Sequence, residues 1–336
     1  MLNVGIIGLG DISSIHLKSI QAMEDARLAA VCDLDLSQKE RFDGIPFYSD
    51  FAKMLTEQPL DCVHICLPHH LHYLATKTAV EAGVHVLLEK PLAHSIQDAK
   101  AIVELEENHP NIKIGVCLQN RLNETVKALQ QMVSSKKYGQ IIGLKGLVTW
   151  HRPKAYYDAK PWRGFLKTAG GGVMINQAIH TLDLIQLVGG EIESIRGSID
   201  QLLDYEYDIE DTATAYIKFN NGATGLFFAT VSNAQNSSIE FQVMLEKAIL
   251  TIKDSILTIT TEDGQKKRVT EDTKLPGSKF YYGASHAKLI AHFYQEILGG
   301  TCDYIHVRDA FVSMEMIQLI RNSSEAKKPI TMEVFQ

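Results

Sequence analysis

The 336-residue sequence predicts two domains, an N-terminal α/β Rossmann-type domain on a doubly wound parallel sheet and a C-terminal α+β domain on a mixed, largely antiparallel sheet. Three observations carry that expectation. The chain opens with a strand pattern, a glycine turn and a helix pattern; short apolar runs then alternate with helical segments; and beyond about residue 200 strand-like runs are joined by hairpin signals. Alternation of strands and helices builds a parallel sheet with right-handed crossovers, whereas consecutive hairpins build antiparallel sheet. The chain also exceeds the size at which a single core stops growing. Residues 1–120 are expected to form the first domain and residues 121–336 the second.

Leu2 to Ile7 reads as a strand, Gly8-Leu9-Gly10-Asp11-Ile12-Ser13 as a turn, and Ile12, Ile15, Ile20 and Met23 have near-helical spacing. In such a unit the first glycine permits a tight bend and the second lets backbone approach a pyrophosphate. The helix start offers unpaired N–H groups and a positive dipole end. Ser13 stands at the third glycine position, small enough to keep helix and strand close. The next run, Leu28 to Cys32, ends at Asp33, 23 positions after Gly10, near the roughly 20 expected of a ribose-binding acid. A carboxylate there accepts hydrogen bonds from the ribose hydroxyls and repels a 2′-phosphate, so NAD is expected over NADP. Asp35 adds a second negative charge, and no lysine or arginine follows before Lys39. Gly8, Gly10, Asp11, Ile12 and Asp33 are the candidate contacts at this end of the cofactor.

Leu60 to Leu67 reads as a strand stopped by Pro68, His72 to Ala82 as a helix stopped at Gly83, and Val86-Leu87-Leu88 as a strand delivering Glu89-Lys90-Pro91. The proline pushes Lys90 away from helical backbone angles, which places it at a strand exit. A lysine taken alone is usually solvated. In an open α/β sheet, however, strand carboxyl ends face the ligand crevice, and a lysine there points at a ligand. Pro68, His72, Glu89 and Lys90 complete the expected cofactor contacts. The cluster His69-His70-Leu71-His72 has no Cys, Asp or Glu at ligand spacing, so a crevice loop is expected there and no metal site. Ser95 to Asn108 reads as a further helix and Ile112 to Cys117 as a further strand.

After about residue 120 the pattern changes. Asn123 to Ser134 reads as a helix, Ile141 to His151 as a strand, Arg152 to Thr168 as an aromatic loop, and Val173 to Val188 as one helix behind Gly170-Gly171-Gly172. Hairpin signals at Asn220-Asn221-Gly222 and Glu262-Asp263-Gly264 join strand runs, and two helices follow, Ser285 to Leu298 and Asp309 to Ser323. On one continuous helix Asn176, His180 and Asp183 share a stripe among apolar neighbours. A lone histidine so placed is usually a satisfied core residue. Amide and carboxylate partners on the same stripe, beside glycines that let the chain bend into a cleft, favour acid-base chemistry instead.

Composition narrows the function classes. With 33 basic and 40 acidic residues the chain carries −7, which argues against nucleic acid and for small-molecule partners. No apolar run reaches the roughly 18 residues of a membrane span, and no leader is expected before the first strand. Cys32, Cys62, Cys66 and Cys117 lie in apolar strand-like runs, as buried reduced thiols of a cytoplasmic protein do.

Taken together, Gly8-Leu9-Gly10, Glu89-Lys90-Pro91, the glycine run and His180-Thr181-Leu182-Asp183 resemble, in order and over essentially the whole chain, the glucose-fructose oxidoreductase / inositol dehydrogenase / rhizopine catabolism (Gfo/Idh/MocA) family. The resemblance implies NAD(P)-dependent oxidation or reduction of a sugar or cyclitol hydroxyl at a site between the two domains, in a homodimer or homotetramer joined through the open face of the second sheet. It implies that Lys90 hydrogen-bonds the reacting oxygen, that His180 is the acid-base partner, and that Asp183 supports it. Many members have aspartate where this chain has Asn176, which can orient a hydroxyl but takes no proton. An upstream Trp-Arg pair like Trp162-Arg163 makes Arg121, Tyr156, Tyr157, Trp162, Arg163 and Gln177 candidate substrate contacts. The alternative is a non-enzymatic NAD(P)-sensing regulator on the same scaffold, since fold does not dictate function. A sensor has no use for a proton-handling pair such as Lys90 and His180.

Overall fold

The computed structural model describes residues 1–273 and 284–332; residues 274–283 and 333–336, within the expected second domain, lie outside the described residues. The chain forms two compact units, Met1–Gln119 with Ala284–Phe311, and Asn120–Gly283 with Val312–Gln336. The helix Ser285–Gly299 therefore joins the first unit, although sequence order places it in the second domain. Its buried face explains the move: Leu289, Ile290 and Phe293 are apolar and buried, and Gly115 leaves room for the Phe293 ring. Just downstream, the Ile305 carbonyl accepts the Val116 N–H at 3.0 Å.

The first unit holds six strands, β1 (Leu2–Ile7), β2 (Ala26–Cys32), β3 (Phe47–Tyr48), β4 (Cys62–Ile65), β5 (His85–Leu88) and β6 (Ile114–Val116). Their order is β3-β2-β1-β4-β5-β6 with every pairing parallel. The near-continuous burial of β1, β4 and β5 is what a sheet covered on both faces requires. Strand order reverses between β1 and β4, the switch point at which such sheets bind ligands beyond the strand carboxyl ends.

The second unit holds β7 (Ile141–Thr149), β8 (Ile192–Asp200), β9 (Thr212–Phe219), β10 (Thr224–Thr230), β11 (Glu240–Leu245), β12 (Ala248–Lys253), β13 (Ile256–Thr261), β14 (Lys266–Glu271) and β15 (Ile330–Thr331). The order is β14-β13-β12-β11-β7-β10-β9-β8-β15, antiparallel apart from the β7–β10 pairing. The hairpin glycines Gly222 and Gly264 have φ of +86° and +78°, values that L side chains rarely adopt. One face of the sheet is covered by helices: Thr181 and Ile185 press on Gly146 of β7, and Ile320 on Gly197 of β8. The opposite face leaves Tyr216, Leu226 and Ile249 exposed.

Two local expectations are corrected. The Arg152 to Thr168 segment is not a plain loop but contains short helical turns at Lys154–Asp158, Pro161–Gly164 and Leu166–Ala169. Val173 to Val188 is not one helix but two, Val173–Asn176 and Ile179–Gly189. The Ala178 N–H bonds back five residues to the Val173 carbonyl at 2.9 Å, and that wide turn ends the first helix. Asn176 and His180 therefore do not share a stripe of one helix, whereas His180 and Asp183 still lie on one.

Candidate active site

The glycine turn after β1 is built around Asp33. Gly8 has φ +93°, and a Cβ there would stand 2.7 Å from the Cys66 carbonyl oxygen, so only glycine fits. The Leu9 N–H donates to Asp33 Oδ2 at 2.6 Å and the Asp35 N–H to Oδ1 at 2.8 Å. Each oxygen retains acceptor capacity for a ribose hydroxyl. The helix Ser13–Gln21 begins at Ile12 with no side-chain cap and no acid in its first turn, which leaves its positive end to a phosphate. Gly10 and Asp11 are exposed at the turn. These residues fit a dinucleotide of the NAD type.

At the exit of β5, Lys90 is half-buried, so it is not a freely solvated lysine. Glu89 turns the other way, 5% exposed, into a polar chain inside the first unit. Its Oε2 accepts the Lys90 N–H at 3.2 Å, and its Oε1 meets His16 Nε2 at 2.9 Å, with His286 Nε2 at 3.6 Å. His16 Nδ1 then meets His64 Nδ1 at 2.8 Å, and His64 Nε2 meets the Tyr294 hydroxyl at 2.8 Å. Burial opposes charge on His16, but Cys66 and Glu89 override it and raise its pKa. Burial and then the His16 charge hold His64 well below the ordinary histidine value. Burial works against ionised Glu89, yet hydrogen bonds and charge from His16 and His286 hold it well below the usual carboxylate range. The proton assignment follows: His16 is an imidazolium donating to Glu89 and to His64, and His64 is neutral and donates to Tyr294. His16, Glu89 and Cys117 also bring three ligand-type atoms within 4.8 Å. Burial and then Glu89 hold the Cys117 thiol well above its usual range, so it keeps its proton.

His72 spends its ring on backbone: Nδ1 lies 2.8 Å from the Pro91 carbonyl and Nε2 2.9 Å from the Leu67 carbonyl. It ties the loop at Pro68 to the residue after Lys90. Sequence reasoning missed His16, His64, His286 and Tyr294. A histidine inside the apolar run Cys62–Ile65 was the available signal, because a buried ring must find a partner.

In the second unit Asn176 and His180 are half-buried and Gln177 is buried. Gln177 Oε1 has no hydrogen-bond partner among the described residues, a buried acceptor of the kind that marks a ligand position. Asp183 is fully buried and joined to Arg121, with Nη2 2.6 Å from Oδ1 and Nε 3.0 Å from Oδ2, a bidentate pair. The glycine run is clamped by residues that sequence reasoning also missed. The Glu210 carbonyl accepts the Val173 N–H at 3.0 Å, and a Cβ on Gly172 would overlap that carbonyl. Arg321 donates to the Gly170 carbonyl at 2.7 Å and lies 3.5 Å from the Glu210 carboxylate. Tyr156, Trp162 and Arg163 are half-buried together, with the Arg163 guanidinium 4.5 Å from the Tyr156 ring centroid and 5.7 Å from that of Trp162. Tyr157 is buried beneath them against Tyr205 and Tyr207.

Comparison with known proteins agrees with this geometry on both halves of the chain. The profile of an oxidoreductase family with an NAD-binding Rossmann fold matches residues 2–116, and that of the GFO/IDH/MocA C-terminal domain matches residues 126–251. The chain belongs to the Gfo/Idh/MocA family. Its first unit is thus an NAD-binding Rossmann domain. Curated relatives include the myo-inositol 2-dehydrogenase of Thermotoga maritima, 22% identical with 99% of each chain covered. The scyllo-inositol 2-dehydrogenase (NAD(+)) of Bacillus subtilis is 24% identical, covering 98% of this chain and 96% of that one. Among solved structures of the Gfo/Idh/MocA fold, the WlbA dehydrogenase of Bordetella pertussis, in complex with NADH and UDP-GlcNAcA, superposes with a TM-score of 0.85 at 25% identity over 99% of both chains. Among the described residues, no helix is long and apolar enough to cross a membrane.

Proposed function

We propose that this Gfo/Idh/MocA member is an NAD-dependent dehydrogenase that transfers a hydride between nicotinamide and a carbon bearing a secondary hydroxyl, on a sugar, cyclitol or sugar derivative. The observation that carries the reading is Lys90, half-buried at the exit of β5 in the parallel sheet whose first turn fits the dinucleotide. Relatives named as dehydrogenases of inositols support the reaction class.

Gly8, Gly10, Asp11, Ile12 and Asp33 hold the nucleotide end, with Pro68 and Lys90 toward the nicotinamide. His72 and Glu89 act one step back, fixing the backbone on which Pro68 and Lys90 stand. Bound NAD supplies the hydride acceptor. In the oxidative direction His180 takes the hydroxyl proton while the Lys90 ammonium stabilises alkoxide character as it develops. Asn176 orients the hydroxyl or the His180 ring, and Asp183, held by Arg121, keeps the His180 helix in place. The buried Gln177 oxygen accepts a substrate hydroxyl, and Tyr156, Trp162 and Arg163 line the substrate's far side. Exposed Tyr216, Leu226 and Ile249 on the open sheet face suit a homodimer or homotetramer contact. The buried free thiols of Cys32, Cys62, Cys66 and Cys117 suit the cytoplasm.

The test is direct. Purified protein should quench and blue-shift NADH fluorescence, and one class among inositols, aldoses, uronic acids and nucleotide sugars should then reduce NAD. Lys90→Met should lower turnover by about 10² or more with NADH binding retained. Near-normal turnover in that variant removes Lys90 from the chemistry, and binding of NADPH alone overturns the role of Asp33.

A further inference from the structure

The turn that presents Asn176 and Gln177 has little of its own to hold it. Val173–Asn176 is four residues long, too short for a helix to persist by itself, and its N-cap, Gly172, has no side chain to receive the N–H groups that open it. Another short helix, Leu166–Ala169, ends just ahead of it at Gly170. The ends of both are met by two residues distant in sequence: Glu210, just before β9, and Arg321, on the helix Val307–Ala326.

Glu210 supplies the missing cap from outside, with both backbone and side chain. Its carbonyl accepts the Val173 N–H at 3.0 Å, and its Oε1 accepts the Met174 N–H at 3.3 Å. These are the first two N–H groups of the short helix. Order then passes along the chain: the Gly172 carbonyl accepts the Asn176 N–H at 3.0 Å, and the Val173 carbonyl accepts the Gln177 N–H at 3.1 Å and the Ala178 N–H at 2.9 Å. Arg321 closes the other end. Its Nη2 donates to the Gly170 carbonyl at 2.7 Å and lies 3.5 Å from Glu210 Oε2, so one guanidinium ties the end of the first helix to the cap of the second. The two side chains are 4% exposed at Glu210 and 17% at Arg321, so water is a poor substitute for either partner.

One buried atom shows what the cap is for. Gln177 Oε1 finds no hydrogen-bond partner among the described residues. A buried acceptor without a partner is costly, and a turn left to itself would swing it toward a donor. We propose that Glu210 and Arg321 are positioning residues of the substrate site, which cap the Val173–Asn176 turn from outside and hold Asn176 and Gln177 in place for the substrate's hydroxyls. The inference rests on the dehydrogenase reading, which gives Asn176 and Gln177 their substrate. All of these residues belong to one unit.

The experiment offers NAD with myo-inositol, glucose, glucuronate and UDP-glucuronate, and scores turnover per NADH-binding site so that unfolded protein does not count. On the probe that the wild type oxidises, Glu210→Ala and Arg321→Met should each lower kcat/KM by about 10- to 100-fold, with NADH affinity unchanged. Glu210→Gln keeps an acceptor for the Met174 N–H, and Arg321→Lys keeps a charged donor for the Gly170 carbonyl, so each should fall between the wild type and its truncated counterpart. Amide hydrogen exchange at residues 173–178 should quicken in Glu210→Ala, with that of β1 unchanged. A kcat/KM per site equal to that of the wild type in folded variants overturns the positioning role, even where thermal stability falls. Should the truncations fail to fold, the same outcome in Glu210→Gln and Arg321→Lys overturns it. If the wild type oxidises none of the probes, the dehydrogenase reading falls by itself, and exchange judges the cap: unchanged exchange at 173–178 removes it, and quickened exchange keeps it.

Discussion

Beside Lys90 in the first unit, the Glu89 carboxylate is paired with His16, 73 positions away; three residues beyond His180 in the second, the Asp183 carboxylate is paired with Arg121, 62 positions away. Both carboxylates are buried, and both pairs hold the backbone that carries a proposed proton-handling side chain. They differ in the cation. A guanidinium is charged at every accessible pH, so the Arg121–Asp183 pair holds wherever the carboxylate is ionised. An imidazolium inside a protein is charged only while its partner keeps it so, and His16 has Glu89 on one side and neutral His64 on the other. One element is locked by geometry, the other by proton occupancy.

The largest effect should come from breaking the locked pair. Asp183→Ala takes the carboxylate away from a guanidinium that is 12% exposed and should cost about 3–5 kcal/mol of stability, read as a shifted denaturant midpoint at unchanged m-value. A loss no larger than that of an exposed surface pair would show that water reaches Arg121 and that the contrast is false.

The conditional pair should announce itself in pH dependence. The folded-state pKa of His16 is raised from 6.5 to about 10, so its contribution is complete below about pH 6.5 and is lost as pH climbs toward 10. Unfolding midpoints measured across that window should fall in the wild type. In Glu89→Gln, where Cys66 remains beside His16 but the carboxylate is gone, the same curve should be shallower, and the Arg121–Asp183 pair contributes no slope there. Parallel curves for the two proteins would mean that His16 is not held charged by Glu89. The smallest effect is at the end of the chain of contacts. Tyr294→Phe removes one neutral partner of His64 and should cost about 1 kcal/mol, with the alkaline slope retained.

How much of this was legible before folding depends on range. Strands β1, β4 and β5 and the Lys90 position rest on short apolar runs stopped by glycine or proline, and β2 rests on an apolar run that ends at Asp33, all signals that act within a few residues. The hairpins at Asn221-Gly222 and Asp263-Gly264 are local in the same way. The break at Gln177-Ala178 was not legible, because no local signal marks where the Ala178 N–H reaches back five residues to the Val173 carbonyl. Nor was the return of Ser285–Gly299 to the first unit, whose amphipathic pattern shows a buried face without naming what buries it. The resemblance to a known family supplied roles for Lys90 and His180, yet said nothing of the partners that hold Glu89 and Asp183.

Residue order alone was enough for the two-domain architecture, the NAD-type turn and the lysine at a strand exit, because periodicity and backbone restriction at Gly8 and Pro91 are properties of the local chain. Tertiary structure alone decided which charges are paired. Asp183 finds Arg121, and Glu89 finds His16 and His286, only when the fold removes water and brings together residues far apart in sequence. In that dry interior an unpaired charge is too costly to persist, so packing assigns each carboxylate its partner and, at His16, its proton.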